Sequence, residues 1–291
     1  MTRFELEAPT SLRSAVDLLD PHDPSVRVMA GGTALMLMMK AGVFRPSRLI
    51  SLRAIEQEFS TFSSRPDGSF CIGAMAALSA LEHAPELNKF APVLRQTLHT
   101  LSNVRVRNVA TIGGHLAHAD PHMDLAPVLI ALGAEVVVTG RKGDRRIPVQ
   151  DLYAGYYETV LARDELISEV IIPAQQQRRA TYIKCSTRAA HDWPALGVAV
   201  SLDVASNVGR APRIVISAVS DRPIRIEASE AILNGQQLEP STLRSAAEAA
   251  ADKIETTSDA RGSAAYKKQL VRVYVERALR AAINTTAGHR P

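Results

Sequence analysis

Apolar positions recur along this chain in two rhythms, and the changes from one to the other lay out its elements. Residues 3–7 alternate as Arg-Phe-Glu-Leu-Glu and predict a strand, whereas Leu12, Val16, Leu18 and Leu19, after Thr10, fall on one helical face. Asp20-Pro21 and Asp23-Pro24 stop that helix. Residues 26–30 form a short apolar run, Gly31-Gly32 a turn, and Thr33 or Ala34 opens a helix through Leu35, Leu37, Met38 and Met39. Those methionines are expected to pack in a core rather than bind a metal. Residues 48–52 read as another strand, closing a small unit near residue 55.

From 56 to 74 two β-like runs flank Arg65-Pro66-Asp67-Gly68, which predicts a hairpin. Residues 78–83 and 92–101 read as helices, and 125–132 as a short apolar one. Strands at 135–139 and 145–149 pair about Arg141-Lys142-Gly143-Asp144, and the strand within 165–173 is stopped by Pro173. Gln175-Gln176-Gln177-Arg178-Arg179 is expected to be an exposed connection. Beyond it come strands at 180–185, 196–205 and 212–219, then helices near 240–254 and 263–283. Strands followed by helices indicate an α+β unit. No internal repeat is seen, and residues 285–291 are expected to be disordered.

Composition narrows the classes. A chain of 291 residues with 46% hydrophobic and 22% charged positions is ordinary for a globular protein with room for two or three compact units. Its net charge of +4 comes from 34 basic and 30 acidic residues spread along the chain, a mild preference for anions and not a nucleic-acid footprint. Cys71 and Cys185 are the only cysteines, too few for a disulfide framework, a four-cysteine iron–sulfur cluster or a closed cysteine zinc site. They read as isolated core thiols. The N-terminus does not read as an export signal and no apolar window is long enough to span a membrane, so a cytoplasmic location is expected.

The candidate chemistry centres on residues 108–124, where a β-branched run drops into Gly113-Gly114. Glycine accepts positive φ and lets main-chain N–H groups approach a phosphate, so such a turn suits an anionic ligand. Residues 27–35 repeat the order of apolar run, glycine pair, polar residue and apolar resumption. Two such loops could clasp one long ligand from two sides. His115, His118, Asp120, His122 and Asp124 also invite a metal reading, but this irregular stretch lacks a recognised zinc spacing, and a structural loop is the preferred reading. The scattered His83, His99, His191 and His289 read as surface or capping residues. Neither a G-x-S-x-G turn, a G-x-G-x-x-G fingerprint nor a P-loop is present. Lys184, Arg188, Asp192 and Trp193 form a further group. There a lysine could neutralise a phosphate or sit beside a reduced ring, and Trp193 could cover an aromatic face; a surface ion-pair loop is the alternative.

The A-G-G-T-x-L loop at 30–35, the T-I-G-G-x-L-A-H-A-D-P-x-x-D stretch at 111–124 and the strand at 165–173 followed by Lys184 and Arg188 together span most of the chain. In these the chain resembles the flavin-binding medium subunits of the molybdenum hydroxylases, the group that includes the carbon monoxide dehydrogenase medium subunit and the flavin domain of xanthine dehydrogenase. The resemblance implies an α+β protein. A two-part FAD-binding domain of the vanillyl-alcohol-oxidase (PCMH) type would occupy 1–175, with subdomains of about 1–55 and 56–175. A C-terminal domain of small antiparallel sheet and helices would occupy 176–291.

By the same resemblance, Val28, Met29, Ala30, Gly31, Gly32, Thr33, Ala34 and Leu35, with Thr111, Ile112, Gly113, Gly114 and His115, would wrap the FAD pyrophosphate and ribityl through backbone N–H groups. Thr33 and Thr111 would add hydroxyls, Asp124 a hydrogen bond, Ile167 a packing contact, and Lys184 would reach toward the isoalloxazine. Ala34 stands where many relatives place an acidic or hydroxyl residue, and His115 where Asn or Ser is usual.

The implied role is electron transfer, with no catalytic side chain and no metal on this chain. A large subunit would carry the molybdenum cofactor and a small subunit two [2Fe–2S] clusters, as a dimer of heterotrimers, with FAD passing electrons to an external acceptor. Two rivals remain: a self-sufficient flavin oxidase, hinted at by Tyr156, Tyr157 and His191, and a structural partner with degenerate loops, hinted at by Ala34 and His115.

Overall fold

The computed structural model describes residues 3–176, 178–186 and 189–285. The expected disorder beyond Thr285 and the expectations placed on Gln177 and Arg188 lie outside the described residues.

Ser11 opens the first helix with a reciprocal cap to Ser14, which satisfies two of the orphan donors of that helix start. The first unit runs β1 (Glu5–Glu7), α1 (Leu12–Leu18), β2 (Val26–Met29), α2 (Thr33–Lys40) and β3 (Arg48–Ser51), with parallel strands in the order β1-β3-β2. Ala15, Val16, Val26 and Ile50 form its core, and Met75 and Leu166 of the next unit join them.

The run predicted as β from residue 56 begins instead as a helical turn, α3 (Glu56–Phe59), because Glu56, Gln57 and Glu58 are good helix formers. The hairpin follows as β4 (Phe62–Ser64) and β5 (Phe70–Gly73), closed by Gly68 N donating to Arg65 O at 3.0 Å with Gly68 at φ 79°. Then come α4 (Leu78–Glu82), α5 (Pro85–Phe90), α6 (Pro92–Thr100), α7 (Val104–Arg107), α8 (Ile112–His118) and α9 (Leu125–Leu132). Sequence pattern missed α5, although Pro85 occupies the same first-turn position as Pro92 in α6.

Strands β6 (Glu135–Gly140), β7 (Gly143–Pro148) and β10 (Leu166–Ile172) complete an antiparallel sheet in the order β4-β5-β10-β6-β7. The short hairpin β8 (Tyr153–Gly155) and β9 (Glu158–Thr159) lies apart.

The last unit is a sheet of β11 (Arg179–Ser186), β12 (Pro194–Ala205), β13 (Val208–Ser217) and β14 (Ile224–Arg225), in that order, with α10 (Glu227–Leu233), α11 (Pro240–Lys253) and α12 (Ala264–Asn284). Strand periodicity sorts its side chains: Leu196, Val198, Val200 and Leu202 join the core that holds the residues of α11 and α12, while Ala199 joins the core around α9. All eight residues of α9 are buried, as a helix apolar on every side requires. The connection near 175–179, expected to be exposed, is fastened. Gln175 donates to Leu132 O at 3.1 Å, and the half-buried Arg178 reaches Ser201 and Ala211. Among the described residues no helix is long and apolar enough to cross a membrane.

Candidate functional site

Strand β2 runs into Ala30-Gly31-Gly32, and Gly32, at φ 70°, serves as the N-cap of α2. A side chain with a Cβ is strained in that region, so the position suits glycine. No side chain caps α2. Among the described residues, the amides of Gly31, Gly32, Thr33, Ala34 and Leu35 meet no acceptor. Free N–H groups at a helix start, with the positive end of its dipole, form an anion site. The α2 methionines are less buried than expected: Met39 alone is buried, and Leu37 is exposed.

Residues 111–115 differ from their expected geometry. They are the start of α8, not an open turn, and neither Gly113 nor Gly114 has positive φ. The amides of residues 112–115 are already bonded. Ile112 N donates to Ala76 O at 3.1 Å, Gly113 N to Ala74 O at 2.9 Å, Gly114 N to Thr111 Oγ1 at 3.1 Å and His115 N to Thr111 O at 2.9 Å. The glycines serve close approach instead. A Cβ on Gly113 would lie 2.6 Å from the Ala74 Cβ, and one on Gly114 would lie 3.6 Å from the Ala30 Cβ. A Cβ on Gly31 would run into the Val109 carbonyl. The two glycine elements therefore touch, backbone against backbone at Gly31 and Val109.

His115 leaves one buried atom, Nε2, with no partner. Burial pushes its imidazole down to about 4, so the ring is neutral. Small residues, five free amides leading into α2 and an orphaned imidazole nitrogen suit a long anionic ligand with hydroxyls, as a dinucleotide is.

A second group lies where the last unit meets the central one. Asp124 precedes α9, and its carboxylate accepts from Tyr182 Oη at 2.6 Å and Lys184 Nζ at 2.9 Å. Tyr182 and Lys184 are two residues apart on β11 and so share a face. The Asp124 and Lys184 side chains are only 6% and 8% exposed. Burial pushes the Asp124 carboxyl above its ordinary range although Lys184 and Tyr182 pull it down, and the same burial beside Asp124 raises the Tyr182 phenol. Asp124 and Lys184 thus meet each other instead of standing as two separate contacts. Sequence reading missed Tyr182, whose signal was the alternation Tyr182-Ile183-Lys184. A cavity of about 320 Å³ opens beside the pair, lined by Thr97 and Thr100 of α6 and by Tyr182 and Lys184. Ile167 sits in β10 opposite Val138, within the main core.

The predicted group around Lys184 separates. Lys184 turns to Asp124, Asp192 accepts from Ala189 N at 3.2 Å, and Trp193 stacks on His122 with ring centroids 5.4 Å apart. The loop histidines likewise part company, His118 meeting Tyr157 and His122 meeting Trp193.

Residues 2–175 match the family described as the FAD binding domain in molybdopterin dehydrogenase, and 181–282 that described as the CO dehydrogenase flavoprotein C-terminal domain. The chain belongs to the FAD-binding medium subunits of the molybdenum hydroxylases. The carbon monoxide dehydrogenase medium chain of Hydrogenophaga pseudoflava is 32% identical over 286 residues, covering 96% of this chain and 97% of the relative. The nicotine 6-hydroxylase medium subunit of Paenarthrobacter nicotinovorans is 30% identical over 272 residues, 94% of each. Among solved structures, the carbon monoxide dehydrogenase from Hydrogenophaga pseudoflava that lacks the Mo-pyranopterin moiety of its molybdenum cofactor superposes with a TM-score of 0.94 at 33% identity. It covers 98% of this chain and 99% of its own. As a member of this family the chain is an FAD-dependent oxidoreductase subunit, and its two-part flavin fold is the one the resemblance implied.

Proposed function

We propose that this medium subunit holds FAD across the contact between its two glycine elements and relays electrons from [2Fe–2S] clusters of a small subunit to an external acceptor. A large subunit carries the molybdenum cofactor, and the assembly is a cytoplasmic dimer of heterotrimers. The observation that carries this reading is the run of free amides from Gly31 to Leu35, in an element packed against Val109 and Gly114.

The first element supplies donors to the pyrophosphate, and Thr33, in the same turn, adds a hydroxyl. The second element supplies lack of bulk, the hydroxyl of Thr111 and the free nitrogen of His115. Lys184, fixed by Asp124, brings a positive charge from the C-terminal unit toward the flavin end, and Ile167 contributes apolar contact beneath it. Bound FAD supplies a centre that exchanges electrons singly or in pairs; the residues here bind and orient it and transfer no proton. We divide the chain into an FAD-binding unit, 1–175, and a C-terminal unit, 176–291.

The test is flavin content. The chain purified with its partner subunits carries FAD, visible as flavin absorbance, and Gly32→Val lowers that content because a β-branched residue is strained at positive φ and displaces the free amides. Normal flavin content in Gly32→Val removes the first element from the site.

A further inference from the structure

Asp124 is the N-cap residue of α9, yet its carboxylate takes no hydrogen bond from that helix. An aspartate in this position ordinarily accepts from the second or third amide of the helix. The carboxylate crosses instead to β11, where Tyr182 Oη fills one oxygen at 2.6 Å and Lys184 Nζ the other at 2.9 Å. With both oxygens engaged, the group is held in one orientation.

The phenol reaches it through a gap in the sheet. Gly197 of β12 pairs with Lys184 on one side and with Ser217 of β13 on the other. A Cβ on Gly197 would lie 2.6 Å from Tyr182 Oη and 2.5 Å from Ser217 Oγ, and Gly197 does not have positive φ. Glycine is needed there for room and not for backbone freedom, and the room goes to the Tyr182 hydroxyl.

Among the described residues, the charged and titratable groups that act on the Asp124 carboxyl are Lys184 and Tyr182 from β11 and Asp120 from its own loop. The faces of α6 and β13 nearby bring only the uncharged Thr97, Thr100 and Ser217. Burial pushes the carboxyl up, Lys184 and Tyr182 pull it down, and Asp120 pushes it up again, leaving it above its ordinary range. A hydrogen bond to the charged form favours that form, so the Tyr182 hydroxyl opposes protonation. What is at stake is the charge of Lys184. Paired with a carboxylate it is largely compensated, whereas beside a protonated carboxyl it is unopposed, and positive charge near a flavin favours the reduced, electron-richer form.

We propose, resting on the flavin reading above, that Tyr182 is a positioning residue of the electron relay: its hydroxyl holds the Asp124 carboxylate against Lys184 and so sets the charge that the C-terminal unit presents to the flavin.

The experiment is a reductive titration of the assembled complex, with the flavin absorbance followed at mildly acidic, neutral and alkaline pH. Tyr182→Phe keeps the ring and removes the hydroxyl, so Asp124 takes up its proton at higher pH than in wild type. The flavin midpoint becomes more positive at mildly acidic pH, by a change in the oxidised-to-reduced equilibrium on the order of tenfold. The difference closes at alkaline pH, where the carboxyl is ionised in both proteins. The iron–sulfur midpoints stay in place, and in the Asp124→Asn background Tyr182→Phe moves the flavin no further. Gly197→Ala displaces the hydroxyl without removing it and shifts the midpoint in the same direction.

A flavin midpoint that is unmoved, or more negative, in Tyr182→Phe at every pH overturns the proposal and leaves the hydroxyl a bond of the fold alone, whatever happens to the urea midpoint. So does an equal shift in the Asp124→Asn background, because Tyr182 would then act without Asp124. If both Tyr182→Phe and Gly197→Ala fail to assemble or to hold FAD, the phenol belongs to folding or to binding and the positioning role falls. A wild-type complex without FAD overturns the flavin reading itself, whereas one that holds FAD with an unresponsive midpoint overturns only the role of Tyr182.

Discussion

Ala30-Gly31-Gly32-Thr33 and Thr111-Ile112-Gly113-Gly114 both follow apolar runs and both lead into helices, yet Gly32 stands outside its helix at φ 70° while Gly113 and Gly114 stand inside theirs. At the first, the amides are left without acceptors; at the second, those of Ile112, Gly113 and Gly114 are bonded to Ala76, Ala74 and Thr111. A glycine pair can therefore mean exposed donors or close packing, and the destination of the backbone N–H groups separates the two. In this chain the elements divide the labour, one presenting donors to an anion and the other acting as a brace that lets the first lie close.

The brace has an anchor, and removing it gives the largest effect. Arg107, at the end of α7, donates from Nε to Glu82 at 2.7 Å and from Nη1 to Leu101 O at 3.1 Å and Ser102 O at 2.8 Å; both charged side chains are buried. Burial pushes the Glu82 carboxyl up, but hydrogen bonds from His99 and Arg107 outweigh it and hold it below the ordinary range. Arg107→Ala leaves that carboxylate only the exposed His99 ring, 2.9 Å away, as a side-chain partner in the interior, at a cost of about 3–5 kcal/mol. Urea denaturation is the measurement. A cost below about 1 kcal/mol would mean that Glu82 finds water or another donor and that the second element is not braced through this pair.

The brace also carries a half-buried titratable ring, which the first element lacks. His115 titrates at about 4 in the folded protein against 6.5 when unfolded. Because the folded value is depressed, the unfolded chain takes up the proton first as pH falls. Stability is complete above 6.5, declines through the window down to about 4, and levels off below it, a loss of up to about 3 kcal/mol. His115→Asn flattens that part of the profile. Denaturation midpoints of wild type and variant at neutral pH and within the window test this, and an equal decline in both assigns the acid sensitivity to other groups.

Much of the scaffold was legible because periodicity and punctuation reported it directly. The alternation in 180–185, the apolar stretch 125–132 and the turn Arg65-Pro66-Asp67-Gly68 each appear where pattern placed them. The elements that escaped, α3, α5, α7, α8, α10, β8, β9 and β14, are short, and tertiary packing rather than periodicity decides such pieces. The site was legible as a pair of elements but not as a division of roles. That Gly113 faces Ala74, or that Asp124 is shared by Tyr182 and Lys184, depends on contacts between residues far apart in sequence.

Alanine at one glycine of each pair gives a smaller effect and a sharper test of that division. In Gly113→Ala the new methyl lies 2.6 Å from the Ala74 Cβ and 2.9 Å from its carbonyl oxygen, so the backbone must yield, at about 1–3 kcal/mol. Gly32→Ala has room, its nearest neighbours being side-chain atoms of Met29 at 3.4 Å, and is strained only by its φ, at about 1–2 kcal/mol. Stability therefore falls further in the first variant. Flavin affinity falls further in the second, since relaxing φ at Gly32 re-aims the free amides of Thr33 to Leu35, whereas the amides near Gly113 have no ligand to lose. Titrating FAD into both variants beside their urea midpoints decides the matter: if Gly113→Ala loses flavin at an unmoved midpoint, the second element touches the ligand as closely as the first and the roles are not divided.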